Sequence, residues 1–227
     1  MPWSKKTVVF DLDGTLVDTA PDLHAALCHC FQEQGLRAVD LDTVRHAIGH
    51  GAKAMIESSA KSSGVTLDES TLTAMHKSFL AYYISHIADF SRPFEGMVDC
   101  LDHCQNMNAN LAVCTNKTQA LAEEVLDALG ITHYFDAIIG ADRATIKKPS
   151  PVHLQEAIAA AGGSVEDSVM IGDSSTDGLS ALEAGVPFIL MSYGYLDDKV
   201  SSLTNILTLD SAKKLPASLG RVFSQQD

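Results

Sequence analysis

The stretches VVF at 8–10, NLAVC at 110–114, SVMI at 168–171 and VPFILM at 186–191 are apolar without alternation. A strand with one wet face reads apolar and polar in turn, whereas one covered on both faces reads as an unbroken apolar run. Helix-length stretches at 97–107, 118–129, 151–161 and 175–184 separate these runs. Such alternation restricts the chain to the α/β class, with a doubly wound, Rossmann-like parallel sheet as its core. Further strands are expected in DAIIG from Asp136 and near 206–209, and a closing helix from about 211.

One long segment departs from the alternation. A helix is expected from Asp22 to Gln34, stopped by Gly35, a residue suited to a helix C-terminus. From Leu41 to Phe90 the pattern is helical throughout, broken at Gly49–Gly51 and Gly64, with Asp68 as a candidate N-cap. No strand stands out between 18 and 90, and SRPFEG at 91–96 reads as a linker. The simplest organisation is an α/β core of residues 1–17 and 91–227, with a helical cap domain of residues 18–90 inserted after the first strand.

Composition narrows the partners. Of 227 residues, 46% are hydrophobic and 20% charged, ample for a core, and the net charge is −13. Nucleic acid and anionic membranes demand a basic face, so neither is expected as a partner. A small phosphorylated metabolite would need a few local cations and a metal. The N-terminal MPWSKKTVVFD leaves no room for a secretory apolar region of about 7–15 residues, and no run reaches the ~18 residues of a membrane span. A cytoplasmic protein, monomer or homodimer, is expected. The cysteines Cys28, Cys30, Cys100, Cys104 and Cys114 are odd in number, which suits reduced thiols. Cys100, His103 and Cys104 could share a helix face, but zinc sites normally take four ligands, so these are read as core or surface residues rather than metal ligands.

In an open α/β sheet, ligands bind beyond the carboxyl ends of the strands. VVF ends in Asp11, NLAVC in Thr115-Asn116 and SVMI in Gly172-Asp173. Three strands far apart in sequence thus deliver polar groups to one edge. Carboxylates crowded there repel unless a divalent cation sits among them, and Mg²⁺, which prefers oxygen ligands, suits Asp11 and Asp173. Lys148, in KKPSP, is either a solvated lysine or, pointing inward, the cation that holds the carboxylates together. A carboxylate such as Asp11 can attack phosphorus, Asp13 is placed to move protons, and Gly14 lets the backbone turn closely. Thr115 and neighbouring amides could bind phosphate oxygens. Thr15 reads as a cap or turn residue, and Asp18 as structural.

These residues resemble the four motifs of the haloacid dehalogenase superfamily: DLDGT at 11–15, TN at 115–116, KP at 148–149 and GDSSTD at 172–177. The resemblance implies Asp11 as nucleophile, Asp13 as general acid/base, and Thr115 and Lys148 as the phosphate-binding pair, with Gly14 and Asn116 as further candidate phosphate or substrate contacts. It implies Mg²⁺ on Asp11, Asp173 and the main-chain carbonyl of Asp13. Asp177 and Ser174 would then hydrogen-bond around the metal and the lysine. The insert resembles the helical cap of the superfamily's first cap class. AIGHG, TNK at 115–117, KKPSP and GVPFILMSYGY are similar to the phosphoglycolate phosphatases within it. That likeness implies a cytoplasmic phosphatase of a small phosphate monoester, with 2-phosphoglycolate as leading substrate, and makes His50 and Lys53 candidate substrate contacts. Two positions depart from the pattern: Glu95, where proline is frequent, and Gly178, where a branched apolar residue is usual.

Other readings remain. A sugar phosphomutase would share the motifs. A phospho-receiver would share Asp, Thr and Lys at strand ends but not Asp13 or the insert, and a non-catalytic binding module would not need every motif position. GHGAKA at 49–54 fits a loose dinucleotide pattern but follows a helical stretch rather than a strand, so that reading fails. Tyr82 and Tyr83 read as core of the insert, and most remaining histidines as solvent-facing.

Overall fold

In the computed structural model, which describes residues 3–49, 51–204 and 206–226, strand β1 (Thr7–Phe10) is buried along its whole length. It is followed by β2 (Val17–Asp18), the helices α1 (Ala20–Glu33), α2 (Leu41–Ala47), α3 (Ala52–Ser62) and α4 (Glu69–Ser85), and β3 (Arg92–Pro93). Alternation then sets in with α5 (Met97–Asn106), β4 (Asn110–Cys114), α6 (Gln119–Ala128), β5 (Ala137–Ile139) and α7 (Pro151–Ala160). It continues through β6 (Ser168–Gly172), α8 (Ser175–Ala184), β7 (Phe188–Met191), β8 (Leu207–Leu209) and α9 (Leu215–Ser224). Among the described residues no helix is long and apolar enough to cross a membrane.

The main sheet runs β5-β4-β1-β6-β7-β8, every described pair parallel. The unalternated strands are the covered ones: β6 and β7 are buried throughout, and β4 after its first residue. From β1 the chain builds outward through β4 and β5, then returns to lay β6 on the other side of β1. That reversal opens the crevice where ligands bind in such sheets. Register makes it level: Phe10 pairs with both Val113 and Ile171, so β1, β4 and β6 end side by side.

The chain divides into two compact units, Met1–Val17 with Pro93–Asp227, and Asp18–Arg92. In the second, the apolar side of α1, including Leu27 and Phe31, packs along α4, where Met75, Phe79 and Tyr83 are buried. Tyr83 is core, whereas half-buried Tyr82 stacks between the rings of His29 and His86. Asp68 accepts the Thr71 amide and caps α4.

The helical stretch does not extend to Phe90. The buried Asp22 carboxylate accepts the amides of Phe90 and Ser91 and the Ser91 hydroxyl. A segment whose amides are bound this way cannot continue the intrahelical ladder, and α4 stops at Ser85. SRPFEG is likewise more than a linker, because its Arg92–Pro93 pairs with Val17–Asp18 in a separate two-stranded sheet. The last helix starts at Leu215 rather than near 211, after a tight 3-10 turn at Ala212–Lys214. Pro216 then falls in its first turn, where a missing N–H leaves no bond unmade.

Candidate active site

Asp11 follows β1 directly, and its amide donates to the Ile171 carbonyl at 2.9 Å, continuing the ladder toward β6. The chain then turns sharply: Leu16 N–H and Val17 N–H both donate to the Leu12 carbonyl, and Gly14 N–H donates to the Val17 carbonyl. Gly14 has φ of +88°, and a Cβ there would lie 2.2 Å from Asp173 Oδ2. Only glycine serves both needs.

Lys148 is the centre of the charge arrangement. It is buried, and its Nζ donates to Asp11 Oδ1 at 2.8 Å, to Asp177 Oδ1 at 2.6 Å and to the Cys114 carbonyl at 2.6 Å. Of the two sequence readings for this lysine, the inward one describes its position. Asp177 is held from its other side, where Oδ2 accepts from the Ser174 amide and hydroxyl. That reciprocal cap fixes the start of α8.

Asp173, next to β6, accepts from the Thr15 hydroxyl at 2.8 Å and from the Tyr195 amide at 2.5 Å. Thr15 thus bonds a carboxylate at the strand edge as well as belonging to the turn. Gly194 closes the other side of Asp173, where a Cβ would lie 2.3 Å from the Asp173 Cβ and 2.4 Å from the Gly14 carbonyl oxygen. Two glycines and one amide therefore cradle this carboxylate.

The electrostatics lack positive charge. Ligand oxygens of Asp11, Asp173 and Asp177 all lie within 4.8 Å of one another, and all three residues are buried. Burial pushes the Asp11 carboxyl up to about 7; Lys148 opposes this, and Asp177 adds to it. Burial, then Asp11 and Asp177, likewise raise Asp173 above the ordinary carboxylate range. Burial alone would depress the Lys148 ammonium, but Asp11 and Asp177 outweigh it and hold its pKa above the usual lysine value. One lysine among three carboxylates leaves a net deficit of cation. The all-oxygen donor set fits a hard divalent cation rather than a thiophilic one.

The remaining candidates fall into place individually. Thr115 is buried at the end of β4 and its hydroxyl accepts the Lys117 amide at 3.1 Å. The Asn116 side-chain amide donates to the Lys148 carbonyl at 3.2 Å, tying the two loops together. Asp13 faces Lys117, whose Nζ lies 2.9 and 3.2 Å from its two carboxylate oxygens. Lys53 belongs to the inserted unit and donates to Glu69 there. His50 lies outside the described residues. Gly49 and Gly51 have φ of +94° and +97°, and residues 52–54 are the first of α3. Cys100 and Cys104 are buried on α5, while His103 sets its ring edge-on to Trp3.

His153 is an exception to the expectation that most of the remaining histidines face solvent. It is buried on α7, four residues before Ala157 on the helix's apolar face. Its Nδ1 accepts the Lys148 amide at 3.2 Å and its Nε2–H donates to the Ile139 carbonyl at 3.0 Å, so the ring is neutral and pins the lysine's backbone. Burial, then the Lys148 charge, lower its pKa from 6.5 to about 4. Between these values the unfolded chain takes up the proton first, so the stability that His153 contributes is lost as pH drops from 6.5 to about 4. The full displacement is worth about 3 kcal/mol. Relative to H153Q, the thermal midpoint of the parent chain should fall as pH drops through that window, the opposite contribution of the raised Asp11 carboxyl being common to both proteins, and parallel curves would contradict this.

Both departures from the motif pattern have local partners. Glu95 pairs with Lys213. A Cβ on Gly178 would lie 2.4 Å from the Leu203 side chain, which fills the space a larger residue would take.

The haloacid dehalogenase-like hydrolase family model matches residues 8–191. The chain belongs to the haloacid dehalogenase-like hydrolases. This hydrolase is 43% identical over 210 residues to a phosphoglycolate phosphatase of Caulobacter vibrioides, covering 92% of this chain and 89% of the relative. It is 38% identical over 225 residues to one of Mesorhizobium japonicum, covering 96% and 99%. Among solved structures, a predicted phosphoglycolate phosphatase from Haemophilus somnus superposes with a TM-score of 0.87 at 25% identity, covering 96% and 98%.

Sequence reading left Lys117, Tyr195 and Gly194 without roles, although TNK and SYGY contain them. His153 carried a helical-periodicity signal, since it shares the buried stripe of α7 with Leu154, Ala157 and Ile158.

Proposed function

We propose that this phosphoric monoester hydrolase cleaves a small phosphorylated carboxylic acid, 2-phosphoglycolate, in two steps through an aspartyl-phosphate. The observation that carries the reading is the buried Asp11 carboxylate, held through Oδ1 by Lys148 at 2.8 Å at the centre of the sheet edge. Whole-length likeness to relatives named phosphoglycolate phosphatases supports the substrate.

Asp11 attacks phosphorus as the bond to the ester oxygen breaks, and Asp13 gives that oxygen its proton. Asp13 then takes a proton from water, whose oxygen attacks phosphorus and releases phosphate from Asp11. Lys148 orients the nucleophile and, with Thr115, meets the phosphate oxygens. Asp177, Ser174 and His153 keep the lysine in place, while Asn116 holds its main chain. Asp11, Asp173 and the main-chain carbonyl of Asp13 would hold Mg²⁺, which supplies positive charge for the phosphoryl group.

Phosphate release from a panel of esters tests the reading. Turnover should depend on Mg²⁺, fall on chelation and be fastest with 2-phosphoglycolate. Interconversion of sugar-phosphate isomers without phosphate release would favour the phosphomutase instead.

A further inference from the structure

Lys117 is the second cation at the sheet edge, and the mechanism above leaves it without work. Its backbone is fixed at both ends: its amide donates to the Thr115 hydroxyl, and its carbonyl accepts the Ala141 amide at 2.9 Å. The side chain is only 6% exposed and leads to Asp13, both of whose oxygens it bonds. The two lysines divide the site. Lys148 serves Asp11 and Asp177, where phosphorus is attacked. Lys117 serves Asp13, the residue proposed above to protonate the departing alcohol.

We propose that Lys117 selects the leaving group by binding a carboxylate carried on the carbon next to the ester oxygen. The proposal rests on the reading of Asp13 as the acid that protonates that oxygen. In a 2-phospho carboxylic acid, three bonds of about 1.2–1.5 Å separate the ester oxygen from a carboxylate oxygen, placing the two about 3 Å apart. An ester oxygen in hydrogen-bond contact with Asp13 therefore brings its carboxylate within reach of an ammonium that contacts the same Asp13. A lysine ammonium has three donors on a flexible stem, so it can serve Asp13 and the incoming carboxylate together. Leaving alcohols without this charge gain nothing from it.

The test compares 2-phosphoglycolate with ethyl phosphate, which has the same two-carbon leaving group but no carboxylate. K117Q keeps a donor for Asp13 and removes the charge; K117R keeps the charge. A charged hydrogen bond is worth about 10- to 100-fold. K117Q should lose about that much more kcat/KM on 2-phosphoglycolate than on ethyl phosphate, and K117R should retain the preference. Equal losses on both esters would assign Lys117 to holding Asp13 and overturn the proposal. A preference that survives in K117Q overturns it alone, whereas a parent enzyme with no preference overturns the substrate reading as well. Inhibition of the unaltered enzyme gives a measurement that needs no variant. Glycolate should compete with ethyl phosphate at least about tenfold more strongly than ethylene glycol does; equal inhibition removes the carboxylate contact.

Discussion

K148A is expected to lose turnover and to be destabilised by about 3–5 kcal/mol, the range for removing one member of a buried ion group. The reason is geometric. Three buried carboxylates have oxygens within 4.8 Å of one another, and Lys148 contacts two of those residues directly. Without it their mutual repulsion acts where water cannot screen it. The urea midpoint should fall accordingly. Added Mg²⁺ should raise the midpoint of K148A more than that of the parent, because a second cation source then meets a larger deficit. A K148A protein as stable as the parent would show that the lysine does not neutralise the cluster.

D11N should behave in the opposite way toward stability. The amide keeps an oxygen for the Lys148 ammonium and removes one negative charge from an over-anionic group. Its burial avoids the penalty that pushes the parent carboxyl to about 7. The thermal midpoint without divalent ion should therefore be equal or higher. Phosphate release should drop by at least about 10³-fold, since an amide cannot form the covalent intermediate. A phosphorylated Asp11 trapped by rapid quench and seen by mass spectrometry in the parent should be absent from D11N. Normal turnover in D11N would reject the two-step route.

The parts of the site differ in how far the sequence alone discloses them. Asp11, Thr115 and Asp173 were legible because each directly follows an apolar strand, and parallel strands put their ends at one edge. Lys148 was only half legible. A lysine in a loop has no periodicity to give its direction, and its inward course depends on Asp11, 137 residues away, and Asp177, 29 residues away. His153 was legible in principle, since it lies on the buried face of α7, but a histidine there carries no mark of its partner. The end of α4 was illegible for a related reason, because the Asp22 carboxylate that binds residues 90 and 91 belongs to another helix.

By itself the sequence determined the α/β alternation, the doubly covered strands and the polar groups at their ends. These follow from hydrophobic patterning, which acts within a few residues. The tertiary structure alone decided that Lys117 faces Asp13 across 104 positions, that Lys148 gathers Asp11 and Asp177, and that Gly14 and Gly194 close around Asp173. Loop side chains take their directions from partners brought near by the sheet, and distance along the chain carries no record of them.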